Sequence, residues 1–174
     1  MKAVYPGSFD PIHAGHIDIA RRASKIFGGI TLLIADNPSK TYKRSSTDRM
    51  YDAMEILHKA GVNAEVKILP SGKMLGEWCK ENEVDVIVKG LRNGADLESE
   101  FTQEFYTKTI NENVETMYFS TNDKMKYLSS SSIKAFAKMP LDQFMSYMKK
   151  INYIQGLSDE DMTKYLTKIH QTWN

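Results

Sequence analysis

Two histidines, His13 and His16, close a run that reads Tyr5-Pro6-Gly7-Ser8-Phe9-Asp10-Pro11-Ile12-His13-Ala14-Gly15-His16. Pro6, Gly7 and Pro11 break regular structure, while Gly15 and the amphipathic run from Ile17 to Phe27 begin a predicted helix, so Ser8, His13 and His16 crowd its N-terminus. Unpaired N–H groups and the positive end of the helix dipole favour an anion there, and imidazoles add hydrogen bonds without an obligatory full charge. Three other uses of the pair compete. Metal binding suits two histidines at this spacing on one helix face, but the pattern lacks a complete set of ligands. A purely structural turn needs only the glycines and prolines that punctuate every fold. A general acid or base lacks an evident partner. The coincidence of turn, glycine, histidines and helix start favours a phosphate cradle.

The elements that must position this turn follow in order. The apolar run Ala3 to Tyr5 predicts a strand entering it, Gly28-Gly29 close the first helix, and the continuous apolar run Ile30 to Ala35 suits a strand buried on both faces. After a turn at Asp36-Asn37-Pro38-Ser39-Lys40, Ser46 or Thr47 caps a helix whose Met50, Met54 and Leu57 share one face before Gly61. Val62 to Leu69 alternates as a strand, Lys73 to Glu81 is a short helix, and Val84 to Val88 is a buried strand that leads into Lys89-Gly90-Leu91-Arg92. A helix over Leu97 to Ile110, a strand over Val114 to Phe119 and a helix opened by the Ser129 to Ser132 run complete the pattern. Strands separated by helices imply βαβ units and a parallel sheet. Ligands of such sheets bind beyond the carboxyl ends of the strands, where His16, Lys40 and Arg92 all fall.

From Pro140 onward the character changes. Met145, Met148 and Ile151 suggest one helix, and Ser158-Asp159-Glu160-Asp161 reads as a capping box for a last one. Met162, Tyr165, Leu166, Ile169 and Trp173 then share an apolar face, a packing surface against the same domain or a neighbouring subunit.

Bulk composition excludes more than it identifies. At 174 residues, 41% hydrophobic and 26% charged, the chain suits one globular domain with a sizeable core. A net charge of +1 with no long Lys/Arg block argues against nucleic acid. No basic, apolar and small-residue leader precedes the motif, and no apolar run approaches the roughly 20 residues of a membrane span, so a soluble, cytoplasmic protein is expected. Cys79 is the only cysteine, which rules out an internal disulfide and suggests a buried spectator.

His13-Ala14-Gly15-His16 resembles the HxGH signature of the nucleotidyltransferase superfamily. The longer string from Tyr5, with Gly7-Ser8-Phe9-Asp10-Pro11 intact, is similar to the opening of the bacterial-type phosphopantetheine adenylyltransferases. Val88-Lys89-Gly90-Leu91-Arg92, followed by Asp96, Glu98 and Glu100, resembles that family's basic-Gly-Leu-Arg segment and its acidic continuation. Glu115 to Phe119 resembles the strand before the last motif, and Leu128-Ser129-Ser130-Ser131-Ser132-Ile133-Lys134 resembles the Ile-Ser-Ser-Ser motif with its basic residue. These segments keep the family's order from residue 1 to about residue 140. Four positions depart from it. His13 stands where the family usually has Thr, and Lys89 where many members have Arg. Thr41 replaces the second lysine of the Pro-Ser-Lys-Lys turn, leaving Lys40 or Lys43 to serve, and Gly72-Lys73-Met74-Leu75 replaces the usual acidic or small polar pattern of the pantetheine pocket.

The resemblance implies an α/β domain of Rossmann-like nucleotidyltransferase fold, a parallel β-sheet flanked by helices, over residues 1–140. Residues 141–174 would form a divergent helical extension on the same domain or on a subunit interface. It implies an enzyme that transfers AMP from ATP to 4′-phosphopantetheine, giving dephospho-CoA and pyrophosphate. His16 and Lys40 would be catalytic. Ser8, Phe9, His13, His16, Lys89, Gly90, Arg92, Asp96, Glu100, Ser129, Ser130 and Ser131 would bind the nucleotide; Ser8, Lys40, Met74 and Lys89 would bind the acceptor. Mg²⁺ would be held by the ATP phosphates and water rather than by protein ligands. Neither nucleic acid nor membrane is expected as a partner, and the family commonly assembles as homo-oligomers up to hexamers. The alternatives are a nucleotidyltransferase using CTP or another phosphate acceptor, a catalytically weakened nucleotide-binding regulator, and, more distantly, a scaffold.

Overall fold

The computed structural model describes residues 1–92, 94–152 and 154–174, the side chains of Ala95 and Asp96 excepted. Five strands, β1 (Ala3–Gly7), β2 (Ile30–Ile34), β3 (Ala64–Ile68), β4 (Val86–Leu91) and β5 (Glu115–Ser120), form one sheet in the order β3-β2-β1-β4-β5. Every pairing is parallel; Val4, for example, lies opposite Thr31 on one side and Ile87 on the other. The helices are α1 (Ala14–Phe27), α2 (Ser46–Lys59), α3 (Leu75–Glu81), α4 (Gly94–Ile110), α5 (Ser130–Phe136), α6 (Leu141–Ile151) and α7 (Asp159–Trp173). Beyond β1 the strand order runs one way through β2 and β3 and the other way through β4 and β5. That reversal opens a crevice at the carboxyl ends of β1 and β4, the switch point where such sheets take ligands.

Alternation along the strands divides the core by sheet face. Tyr5, Leu32, Ile34 and Val88 belong to the larger cluster, together with Ile17, Ala20 and Ala23 of α1, Ile56 and Leu57 of α2, and Ile133 of α5. Val4, Leu33 and Ile87 face the other way onto Trp78, Cys79, Val84 and Val114. The C-terminal helices lie in the larger cluster: Phe144, Met148, Met162, Leu166 and Ile169 are all buried there. The last apolar stripe therefore packs against the chain's own core.

Several boundaries differ from the sequence expectation, each for a local reason. The first helix begins at Ala14 because His13 caps it, its Nδ1 accepting the Gly15 N–H at 3.2 Å. The second is capped by Ser45, whose Oγ accepts the Asp48 N–H at 3.0 Å while the Asp48 carboxylate accepts back from Ser45. Its core face is Ala53, Ile56 and Leu57, whereas Met54 is exposed. On α6, Phe144 and Met148 are buried and Ile151 faces outward. Ser158 caps α7 as its sequence suggests, accepting from Asp161 N at 3.1 Å. Cys79 is fully buried, and desolvation pushes its thiol up to about 12, so it is an inert packing residue.

Candidate active site

A cleft of about 570 Å³ fills the switch point. Its floor is Tyr5 to Ser8 at the end of β1, and Lys89 and Gly90 at the end of β4. A Cβ at Gly90 would stand 2.3 Å from Ile19 Cδ1 on α1, so a side chain there would have to displace that methyl. His13, Gly15, His16 and Ile19 of the first turns of α1 make one wall, and Ser99, Glu100 and Gln103 of α4 make another. Asn37 and Lys40 from the loop after β2, Arg92, Thr121, and Leu128 to Ser131 at the start of α5 complete the rim.

The two histidines are held in a defined state. His13 Nδ1 accepts from Gly15 N, and His16 Nδ1 accepts from His13 N at 3.3 Å, which assigns the proton of each neutral ring to Nε2. The rings stack with centroids 3.7 Å apart, and the edge of Phe9 braces His16 at 4.9 Å. Burial pushes the His16 pKa down to about 3, with the Arg92 and Lys40 charges adding to the effect. His13 is also pushed well below the usual range, first by burial, then by His16 and Arg92. The site thus presents two neutral imidazoles whose Nε2–H groups are donors, framed by Lys40, Lys89 and Arg92. Lys89 Nζ lies 2.7 Å from Glu100 Oε2 and donates to Gln103 Oε1 at 3.0 Å.

Of the residues singled out in the sequence, Ser8, His13, His16, Lys40, Lys89, Gly90, Arg92, Glu100, Ser129, Ser130 and Ser131 line this cleft. Phe9 does not: at 2% exposure, with φ +44, its ring lies behind His16 and supports it. Met74 caps α3 with its side chain exposed, away from the cleft wall. The Asp96 side chain lies outside the described residues. The serines divide their work differently from the expectation of three free hydroxyls. Ser129 Oγ accepts from Ser132 N as the cap of α5 and Ser130 Oγ donates to Pro11 O, so Ser131 is left with an outward hydroxyl. The N–H groups of Ser130 and Ser131 open the helix and have no intrahelical acceptor. Between the two lysines that could replace the one lost at Thr41, Lys40 reaches the cleft. Lys43 donates instead to Thr172 O at 3.3 Å and lies over the Trp173 ring.

Sequence reasoning missed the supports. Arg49, 1% exposed on α2, donates to Ser8 O at 2.7 Å and to Ser45 O at 3.3 Å, pairs with Asp36 and stacks on Tyr42. One guanidinium thereby ties the end of β1 to the loop carrying Lys40. Lys134 on α5 pairs with the buried Asp10 at 2.6 Å beneath the Trp173 ring. Gln103 was within reach of the sequence, one helical turn beyond Glu100.

Known proteins resemble this chain in sequence and in fold. The cytidylyltransferase-like family model matches residues 4–136. A phosphopantetheine adenylyltransferase of Clostridium botulinum (strain Hall) is 37% identical over 159 residues, covering 87% of this chain and 95% of that protein. One of Dictyoglomus turgidum is 39% identical over 138 residues, covering 79% and 84%. Among solved structures, the nicotinic acid mononucleotide adenylyltransferase of Plasmodium falciparum, complexed with NaAD, superposes with a TM-score of 0.64 at 14% identity. That match covers 100% of this chain and 99% of the other. A lipopolysaccharide core biosynthesis protein of Thermoplasma volcanium gives 0.52 at 21% identity, over 71% of this chain and 98% of that one. At such identities the structural matches speak for the Rossmann-like fold alone.

Proposed function

The chain belongs to the phosphopantetheine adenylyltransferases of the cytidylyltransferase-like family, and from that premise we propose that it transfers AMP from ATP to 4′-phosphopantetheine. The observation that carries the reading is the pair of neutral imidazoles at the switch point, facing a cleft lined by Lys40, Lys89 and Arg92. In this reaction a phosphate oxygen of the acceptor attacks the α-phosphorus, the bond from that phosphorus to the α,β-bridging oxygen breaks, and pyrophosphate leaves. The attacking phosphate is already anionic near neutral pH, so positioning and charge stabilisation can carry the chemistry without a base. His16 Nε2–H donates to the α-phosphate as charge accumulates on it, and His13 adds a second donor from the same stack. Lys40 and Lys89 bring in the acceptor phosphate. Arg92 and the N–H groups of Ser130 and Ser131 hold the departing β- and γ-phosphates.

Mg²⁺ belongs to this proposal as a companion of the triphosphate, neutralising part of its charge. Among the described residues no group of three or more His, Cys, Asp or Glu could hold a metal ion, and Glu100 in the cleft is paired with Lys89. A cytoplasmic homo-oligomer is part of the same reading. Among the described residues no helix is long and apolar enough to cross a membrane.

The test uses purified protein with each nucleoside triphosphate, Mg²⁺ and a panel of phosphate acceptors, following pyrophosphate and the adenylylated product. Turnover with ATP and 4′-phosphopantetheine is expected. Turnover only with another acceptor or with CTP would overturn the choice of substrates, and tight ATP binding without any turnover would overturn the enzymatic reading.

A further inference from the structure

The peptide groups on either side of His13 are each pinned at both ends, and in each case one pin comes from the C-terminal helices. The Ile12–His13 peptide directs its N–H to His16 Nδ1 at 3.3 Å and its carbonyl accepts from the Tyr165 hydroxyl on α7, a residue 153 positions away. The His13–Ala14 peptide receives the Ile17 N–H on its carbonyl at 3.1 Å, and its own N–H donates to Asn152 Oδ1 at 2.8 Å, across 138 positions. Asn152 ends α6 and is fully buried, and Tyr165 is 6% exposed. Deep burial keeps the Tyr165 phenol protonated, and therefore a donor.

We propose that Tyr165 and Asn152 are positioning residues for the two imidazoles, acting through these two peptides. The Ile12–His13 N–H selects the tautomer of His16. If that peptide rotates, His16 Nδ1 loses its donor, and the ring is free to carry its proton on the wrong nitrogen. Tyr165 holds the far end of that peptide plane. Asn152 holds the next plane, which sets the direction in which the His13 ring leaves the backbone and caps the first N–H of α1. The helical tail therefore supplies the back half of a grip whose front half faces the cleft.

The inference uses the adenylyl-transfer reading only for its rate measurement, so two readouts are made on the same variants. Tyr165→Phe keeps the ring and its packing but removes the hydroxyl. Asn152→Leu removes the acceptor while keeping the branched outline of the side chain, and Asn152→Asp retains an acceptor oxygen in either protonation state. Ring ¹⁵N spectra of the histidines should show a single Nε2–H tautomer for His16 in the wild type and Asn152→Asp, and a tautomer mixture in Tyr165→Phe. In steady-state kinetics, Tyr165→Phe and Asn152→Leu should lower kcat roughly ten- to a hundredfold with both KM values within about threefold of wild type, the scale of a misplaced catalytic group. Asn152→Asp should restore most of that loss. A folded Tyr165→Phe with the wild-type tautomer and wild-type kcat overturns the inference, as does an Asn152→Asp no better than Asn152→Leu. If the wild type itself fails to turn over, the proposed function falls and the ring spectra alone decide the role of the tail. Should Asn152→Leu not fold, Tyr165→Phe decides it in the same way.

Discussion

Lowering the pH from 7 to 5 should destabilise the fold by about 2 kcal/mol through His16 alone, with a further loss in the same direction through His13. Burial sets the folded pKa of His16 at about 3, against an unfolded value near 6.5. For a group whose folded pKa is depressed, the stability contribution is complete above the unfolded pKa and declines as the pH falls towards the folded one. The window therefore runs from about 6.5 down to about 3. At pH 5 the unfolded imidazole is almost fully protonated while the folded one remains neutral, and each pH unit in that interval costs up to about 1.4 kcal/mol per histidine. Between pH 7 and pH 5 the loss is insensitive to the exact folded value, provided that value lies below roughly 4.5. The assay is urea unfolding of the wild type and His16→Gln at pH 7, 6 and 5. Acidic side chains titrate in both proteins, so the difference between the two pH slopes isolates the imidazole. His16→Gln should lose about 2 kcal/mol less than wild type on going to pH 5. Parallel slopes would refute the argument, because they would mean that His16 binds its proton equally well folded and unfolded.

The tautomer assignment makes a catalytic prediction with a ranking. Glutamine can place a donor near the Nε2 position and asparagine only near Nδ1, so kcat should fall in the order wild type, His16→Gln, then His16→Asn and His16→Ala together, the last two by about a hundredfold. Higher activity of His16→Asn than of His16→Gln would place the working nitrogen at Nδ1. Arg49→Met should remove three hydrogen bonds and strand the Ser8 carbonyl, costing about 2–3 kcal/mol and lowering Tm by roughly 5–10 °C, and Arg49→Lys should recover little because one ammonium cannot span Ser8, Asp36 and Ser45. Full recovery by lysine in a thermal melt would show that only charge matters there. Gly90→Ala drives a Cβ into Ile19 Cδ1, so adding Ile19→Val, which deletes that atom, should recover about 1 kcal/mol in a double-mutant cycle; additive effects would mean that the clash is relieved elsewhere.

The cleft was legible in the sequence wherever its residues sit in short linear strings. Tyr5 to His16, Lys89 to Arg92 and the serine run each follow a strand or open a helix, and a parallel sheet gathers such junctions at one end. Lys40 was legible for the same reason, whereas choosing it over Lys43 required the position of Trp173. The start of α1 was legible to within a residue from Gly15, but its cap was not, because histidine is an uncommon N-cap and nothing in the spacing reveals that its Nδ1 accepts a backbone N–H. Adjacency to Ser8 likewise does not show that a positive φ turns the Phe9 ring into the core. The supporting roles of Arg49, Asn152 and Tyr165 left no trace because the partners concerned are backbone carbonyls or amides 41, 138 and 153 residues away, and periodicity, which placed Tyr165 on an apolar face, carries no information about such pairs. Met145, Met148 and Ile151 foretold the existence of α6 but not its rotation, which Phe144 decides.

The distance along the chain between the histidine turn and its rear supports also bears on how the protein is made. During vectorial synthesis His13 and His16 emerge well before their rear supports, with a strand and helix that can form early. Asn152 and Tyr165 follow only after all five strands of the sheet have been made. Closing a loop of 138 residues costs only about 2 kcal/mol more than closing one a tenth as long, so delay rather than thermodynamics separates the two events. The histidine turn, made before its supports, is thus late to acquire its final form. A growing polypeptide would carry that turn unbraced until α6 and α7 close behind it.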